Sequence, residues 1–330
     1  VPHPDDRRCA GGVLMRPWIL LAVVGVAGAA GCKPDLGAPP SLVTGPRILG
    51  IRGMPAEATP GAMVTYDILA VDVTGTAAAP DVGWAQCLLP DPPAFGNDVS
   101  DACLAIVDDA GPAPTFSAPV APNVCSIFGP QTPPVMKGQP PSRPADPDTT
   151  GGYYQPVRAT WQSPGLLAFA LERVTCRLAN APPDVATQYQ TEYTANRNPL
   201  LTGMLVASGD AVTPLYAAGQ AAAPAPAAIG AGQKTVLQAD FSDDSAETFL
   251  VWDVVQLKLL QQRESLRVSW YATAGSFARD VSGRASDDLD TYTQNEWTAP
   301  TTPGPVHFWA VLRDNRGGID FASAEIDVTP

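Results

Sequence analysis

Residues 305–328 read PVHFWAVLRDNRGGIDFASAEIDV. After its proline, the run Val306 to Leu312 is apolar, aromatic and β-branched, which suits a central strand. Asp314-Asn315-Arg316-Gly317-Gly318 is a hairpin turn, because Asn and Gly accept positive φ. Ile319 to Val328 then completes the hairpin. Upstream, Leu266, Val268 and Trp270 alternate with Arg267, Ser269 and Tyr271, the period of a half-buried strand. Leu201 to Val206 and Thr235 to Phe241 read as further strands. Thr248 to Val255 is apolar and β-prone, and the stretch to Gln262 fits either helix or strand. AAAPAPAA at 221–228 is a loop. Short strands separated by turn signals predict a β-sandwich over 199–330.

The amino-terminal half repeats the pattern less cleanly. Arg47 to Ile51 is short and apolar, and Pro60-Gly61 marks a turn. In Met63 to Val73, the residues Val64, Tyr66, Ile68 and Ala70 share one face. Trp84 to Leu89 predicts another strand with an inward Trp beside Cys87, and Tyr153 to Trp161 one more. These place an amino-terminal sandwich over 47–162. Residues 110–148 carry eleven prolines and read as a long irregular insertion. Matches to P-x-x-P such as Pro119 to Pro122 arise freely at this density and assign no partner.

A short helical element is expected between the sandwiches, over 163–198. Ser163-Pro164 has the form of an N-cap and first turn. Leu167, Leu171, Val174 and Leu178 recur at helical spacing, with a strand over 166–178 as the alternative. A second helix is predicted from Pro183 to Ala195, with Val185, Tyr189 and Tyr193 on one side. Asn198-Pro199 ends it.

Of 330 residues, 36 are Pro and 45% are hydrophobic, so a core is available and wholesale disorder is excluded. The net charge of −13, from 20 basic and 33 acidic residues, argues against a phosphate-tracking nucleic-acid binder.

Met15-Arg16-Pro17 followed by an uncharged run to Gly31 has the order of a secretory signal peptide. Pro17 to Gly31 is 15 residues, short of the roughly 20 that a spanning helix needs. Residues 1–14 then read as an overextended start before Met15. Ala29-Ala30-Gly31-Cys32 resembles the bacterial lipobox, with Ala where Leu is commonest. The resemblance implies lipid attachment at Cys32 and cleavage after Gly31. Two or more acyl chains give stable anchoring. Lys33 stands where an Asp would mark inner-membrane retention, which favours the outer membrane, on its periplasmic or cell-surface face. Residues 32–46 are then a tether.

Setting aside Cys9 and Cys32, four cysteines remain: Cys87, Cys103, Cys125 and Cys176. An even number in an oxidising compartment reads as two disulfides, and four cysteines allow three pairings. Cys87–Cys103 with Cys125–Cys176 is the preferred arrangement, since the first closes a short Pro-rich loop. Their spacings do not suit a zinc site, and no cofactor is expected.

Residues 265–328 resemble a bacterial Ig-like module through Ser269-Trp270-Tyr271, Ala274-Gly275, Trp297 and Phe308 to Gly318. Residues 47–89 resemble the opening of a second. The chain is thus similar to the Ig-like surface lipoproteins of high-GC Gram-negative bacteria. The resemblance implies a mainly β fold of two Ig-like sandwich domains and an envelope location.

Catalytic signals are sparse. After Cys32 the single histidine is His307, mid-strand beside Trp309 and Val311. No G-x-S-x-G, H-E-x-x-H, Walker or dinucleotide fingerprint occurs. The turn Ser208-Gly209-Asp210 lacks the strand–elbow–helix frame of a nucleophile. Asp108-Asp109, Asp243-Asp244, Asp287-Asp288 and Asp290 read as solvated loops, with calcium as a rival at the sandwich ends. Tyr153-Tyr154, Tyr189 and Tyr193 read as packing residues, with a carbohydrate platform as the rival. Trp270 and Trp297 read as core. The expectation is a non-enzymatic, lipid-anchored envelope protein with a structural role or a protein or glycan ligand. An exported polysaccharide hydrolase using paired carboxylates and an accessory subunit of an envelope assembly are the alternatives.

Overall fold

The structure is a computed structural model that describes residues 38–90, 99–130, 148–208, 211–220 and 224–330. The expected start, the signal peptide at 15–31 and the lipid site at Cys32 lie outside the described residues, as does 131–147 of the insertion.

The first sandwich is built from β1 (Arg47–Met54), β2 (Glu57–Ala58), β3 (Met63–Asp72), β4 (Gly75–Thr76), β5 (Val82–Gln86), β6 (Thr115–Pro119), β7 (Gly152–Trp161) and β8 (Leu166–Thr175). In one sheet β3 pairs with β1 on one side and with β4 and β6 on the other. The facing sheet runs β2-β8-β7-β5, with β2 parallel to β8. This is the order of an Ig-like sandwich, A-B-E against G-F-C, with the short parallel strand that joins the last one. Alternation builds the core. Tyr66, Trp84 and Phe116, from β3, β5 and β6, stack with ring centroids 6.1–6.3 Å apart, and the Trp84 indole donates to the Ala113 carbonyl at 2.8 Å.

The second sandwich has the same plan. Its strands are β9 (Leu201–Ser208), β10 (Ala211–Ala217), β11 (Ala227–Gly230), β12 (Lys234–Phe241), β13 (Thr248–Asp253), β14 (Lys258–Arg263), β15 (Leu266–Ala272), β16 (Ser276–Phe277), β17 (Val281–Arg284), β18 (Tyr292–Thr298), β19 (Gly304–Asp314) and β20 (Ile319–Thr329). The sheets run β10-β9-β12-β18-β16 and β11-β20-β19-β15-β17, again with a parallel pair, β11 and β20. Trp270, Trp297 and Phe308 fill the centre. The β19–β20 hairpin forms where its sequence predicts it. Asp314 Oδ1 accepts from the amides of Arg316 and Gly318 at 2.8 Å each, and Gly317 takes φ +106°. The ambiguous stretch after Val255 is β14, hairpinned onto β13.

Four expectations need correction. The helical spacing over 163–178 does not make a helix: β8 pairs with β7 from Trp161↔Leu166 to Gly152↔Thr175. Four residues apart is one face in a strand as well as in a helix, so Leu167 and Leu171 did not discriminate; both are exposed. Ser163-Pro164 instead enters a tight turn completed by Gly165 at φ +87°. The first sandwich therefore runs to Thr175 rather than 162, and the helical element of 163–198 shrinks to α2 (Pro183–Glu192), after the single turn α1 (Val124–Ile127). The insertion 110–148 is not wholly irregular, since it supplies β6, whose Phe116 and Ala118 are buried. The tether expected over 32–46 ends early: Ser41 and Val43 are buried, and both hydrogen-bond to Ala272 of β15.

Residues Ala38–Pro330 form one compact unit. The sandwiches lie sheet against sheet. Leu49, Leu69 and Val71 of the first pack on Trp309, Val311 and Ile319 of the second. A Cβ at Gly50 would come within 2.9 Å of Ile319 Cδ1, so glycine permits this approach. The Trp309 indole donates to Thr76 Oγ1 at 2.8 Å, and Arg52 bridges Asp67 and Asp320 across the seam.

Candidate functional site

Charge concentrates beside that seam. Glu57 is placed by β2, which crosses from β1 to pair with β8 next to Arg173. Its Oε2 faces Arg173 Nε at 3.1 Å and Arg316 Nη1 at 4.0 Å and accepts the Asn196 amide at 2.8 Å. Its Oε1 accepts the hydroxyls of Thr175, at 2.7 Å, and Tyr193. Burial pushes this carboxyl up, but Arg173 and these hydrogen bonds outweigh it and hold Glu57 below the usual carboxylate range. From the β19–β20 turn, Arg316 donates to Glu264 at 2.6 Å and to Glu247 at 2.9 Å, and its guanidinium stacks 4.7 Å from the Phe249 ring centre. Burial, with Asp314 adding to it, pushes Glu264 up to about 7 against the pull of Arg316. Glu57, Arg173, Glu264 and Arg316 are all almost completely buried. A cluster of this kind fixes geometry, because removing any one member strands a charge in low dielectric.

Next to it a cleft of 390 Å³ opens between β1, β8 and the 313–319 hairpin, with Gly53, Glu172, Asn198 and Arg313 in its wall. Asn198 holds the two sandwiches in register there, donating to the Gly53 carbonyl at 2.7 Å and accepting the Ile319 amide at 2.9 Å. Burial lowers the Arg313 guanidinium, which donates to the Leu49 carbonyl at 2.8 Å.

The residues singled out by sequence fall in several places. The four cysteines form Cys87–Cys103 and Cys125–Cys176, with Cα separations of 5.6 and 5.5 Å. Tyr154, Tyr189 and Tyr193 pack in the junction. The rings of Tyr189 and Tyr193 lie 4.8 Å apart, tilted by 37°, and the hydroxyls of Tyr154 and Tyr189 donate to the carbonyls of Arg316 and Thr150. Tyr153 is buried in β7, and Trp270 and Trp297 in the second core. His307 lies half-buried on β19, with Nδ1 3.1 Å from Glu325. Ser323 shares its hollow, but no hydrogen bond joins the two. The aspartate pairs stay apart. Asp108 pairs with Arg158, Asp109 accepts the Gln86 amide, Asp244 pairs with Arg197, and Asp288 caps the Asp290 amide. Among the described residues no group of three His, Cys, Asp or Glu could hold a metal ion, and no helix is long and apolar enough to cross a membrane.

Glu57, Glu172, Arg173, Glu247, Glu264 and Arg316 escaped the sequence reading. One signal was available: Glu172-Arg173 interrupts the apolar run 166–171, and in a strand one of two adjacent side chains must face inward.

No family model and no curated protein matches the chain. Among solved structures it is similar to domains 4 and 5 of the S-layer protein SbsC, at 8% identity and TM-score 0.20, covering 86% of this chain and 100% of that one. It is also similar to the adhesin InvE of Yersinia pseudotuberculosis, at 10% identity and TM-score 0.22, covering 84% and 58%. A third is the C-terminal domain of the antigen I/II polypeptide BspA of Streptococcus agalactiae, at 10% identity and TM-score 0.23, covering 86% and 99%. Likeness at this level carries no argument; the Ig-like assignment rests on strand order.

Proposed function

We propose that the chain is a lipid-anchored protein of the cell envelope, whose paired Ig-like sandwiches act as one rigid body with a structural role or a protein or glycan partner. The observation that carries this reading is the junction. An apolar seam and a buried charge cluster join the sandwiches over their sheet faces, where a flexible tandem array would join them by a linker. Such a body transmits force or presents a surface without bending. Two disulfides support an oxidising compartment, and the lipobox ending in Cys32 supports an anchor. The acids at the junction face arginines and are sealed from solvent, an arrangement suited to holding parts together rather than to hydrolysis across an open cleft.

The test is fractionation and protease shaving of intact cells, comparing the native protein with Cys32→Ser. The native chain should stay with the outer membrane and Cys32→Ser should be released. Digestion from outside places the body on the cell surface, and protection until the outer membrane is opened places it in the periplasm. If Cys32→Ser fractionates like the native protein, the anchor is refuted.

A further inference from the structure

We propose that the cleft between β1 and β8 receives the carboxyl-terminal residues of an extended peptide from a protein partner, laid as an added strand along the bare edge of β8 with its terminal carboxylate on Arg313. This deepens the protein-partner reading given above and rests on it. In an antiparallel ladder, successive residues of a strand turn their backbone groups to opposite sides. The Cys87 amide donates to the Pro156 carbonyl, and the Gln162 amide to the Asp81 carbonyl, at 2.9 Å each. The even-numbered residues of β7 therefore face β5, and the odd-numbered ones face β8. There Val157 stands opposite Ala170, and Ala159 opposite Ala168. Leu167, Phe169 and Leu171 thus aim their N–H and C=O groups away from β7. Among the described residues the one strand on that side is β2, which reaches only Arg173 and Val174.

Other sheet edges are guarded. The amides of Asp109 and Ala113 cover β5 by donating to the Trp84 and Val82 carbonyls. The ladder of β10 shifts register just after Pro214, which blunts that edge. The stretch Leu166 to Leu171 has no proline, no lysine and no bulge, and Leu167 and Leu171 are exposed. What completes such an edge is another extended backbone. The 390 Å³ cleft runs beside it, walled by Ile48, Ile51, Ala168, Ala170 and Ile319, so the side chains that enter are small and apolar. A strand pairing with residues 167–171 needs about five residues, roughly 17 Å of chain.

The charge in the wall selects a chain end. Arg313 lines the cleft and donates to the Leu49 carbonyl at 2.8 Å and to the Ser269 hydroxyl at 3.5 Å, with Tyr271 also facing it. Among the described residues no carboxylate pairs with it, whereas Arg52, Arg173 and Arg316 each face an acid. Its neighbour Asp314 is turned away, accepting from the amides of Arg316 and Gly318 and from the Asn196 side chain. Glu172 lines the cleft beside Gly53, where burial pushes it up to about 9. It is neutral at pH 7 and does not repel an anion. A guanidinium fork pairs best with a carboxylate. A strand that ends here supplies both missing partners, backbone groups for the edge and a counter-charge for Arg313. A segment from the middle of a chain supplies only the first.

Fluorescence polarisation tests this, with the full chain titrated at pH 7 into a fluorescein-labelled Gly-Ser-Thr-Val-Ala-Val peptide that ends in a free carboxylate. The same peptide closed as a carboxamide should bind at least about ten-fold more weakly. Of two peptides N-methylated at alternate amides, one set facing β8 and the other facing away, only one should bind. Arg313→Gln should bring the acid peptide down to the affinity of the carboxamide and leave the carboxamide unchanged. Hydrogen exchange at the Leu167 and Phe169 amides should slow in the complex. No binding at millimolar concentration, equal binding of acid and carboxamide, or equal binding of both methylated peptides overturns the proposal. So does a chain that sediments as a dimer with those two amides protected before peptide is added, which gives the edge to a second copy. The acid–carboxamide comparison on the native chain decides even if Arg313→Gln fails to fold. Fractionation of Cys32→Ser reads the anchor separately, so failure of one is distinct from failure of the other.

Discussion

Arg316→Met tests whether the buried charge cluster holds the junction. Arg316 is 2% exposed and is the counter-charge of Glu264, at 2.6 Å, and Glu247, at 2.9 Å, with Glu57 at 4.0 Å. Methionine keeps an apolar stem but removes the charge and the guanidinium that stacks on Phe249. Stranding the buried Glu264 carboxylate in this way costs about 3–5 kcal/mol, or roughly 6–20 °C in Tm, while Glu247 keeps its pair with Arg197. The loss should depend on pH with a definite sign. Glu264 stands at about 7 with the arginine present, and without it the carboxyl rises further. In the variant, the folded state holds a proton that the unfolded chain has released, from the ordinary 4.5 upward. The variant's stability therefore falls as pH rises, and the gap to the native protein is smaller at pH 5 than at pH 8. Urea unfolding at both pH values, followed by tryptophan fluorescence and far-UV circular dichroism, measures it. Adding Glu264→Gln to Arg316→Met should recover most of the loss, since Glu247 keeps Arg197 and Glu57 keeps Arg173. A loss under about 1 kcal/mol at both pH values, or one that does not change with pH, refutes the account.

Other consequences follow from the same geometry. Cys125 and Cys176 are 51 residues apart and Cys87 and Cys103 are 16, so loop entropy predicts losses of about 4 and about 3 kcal/mol for the paired Ser variants, read by denaturant midpoint under oxidising conditions. Gly53→Ala places a Cβ against the Glu172 carboxyl and should cost about 1–3 kcal/mol by overpacking; a neutral result would mean the carboxyl is free to move away. Glu172→Gln should gain stability over the native chain as pH rises from 5 to 9. Native Glu172 keeps its proton up to about 9, whereas the unfolded chain loses it near the ordinary 4.5, so native stability falls across that window and the glutamine variant lacks this term. Parallel pH profiles for the two proteins would contradict the burial of an uncompensated acid.

Much of the fold was legible from short-range pattern. The 305–328 hairpin declared itself through an apolar run, a turn built on Asp314 and Gly317, and a second run. Met63 to Val73 did so through alternation at its start, Val64 and Tyr66 buried, before Leu69, Ala70 and Val71 are all buried. Both signals are local, so they survive any tertiary context. The stretch 166–178 failed because an i, i+4 repeat is compatible with both periods, and only pairing with β7 resolves it. Residues 110–130 hid a strand because proline density masked the alternation of Phe116, Ala118 and Val120.

The sequence by itself determined a mainly β chain with an even set of cysteines after a lipobox-like Cys32, because each of those rests on residue type, order and nearest-neighbour spacing. It could not announce the junction. Glu57 meets Thr175, Tyr193 and Asn196, between 118 and 139 residues away, and Arg52 meets Asp320 at a separation of 268. A charged residue in a strand reads as a solvated face until the partner sheet is in place. Only folding brings Arg316 onto Glu247 and Glu264 while leaving Glu172 among amides, and burial then decides which acids stay charged and which keep their proton.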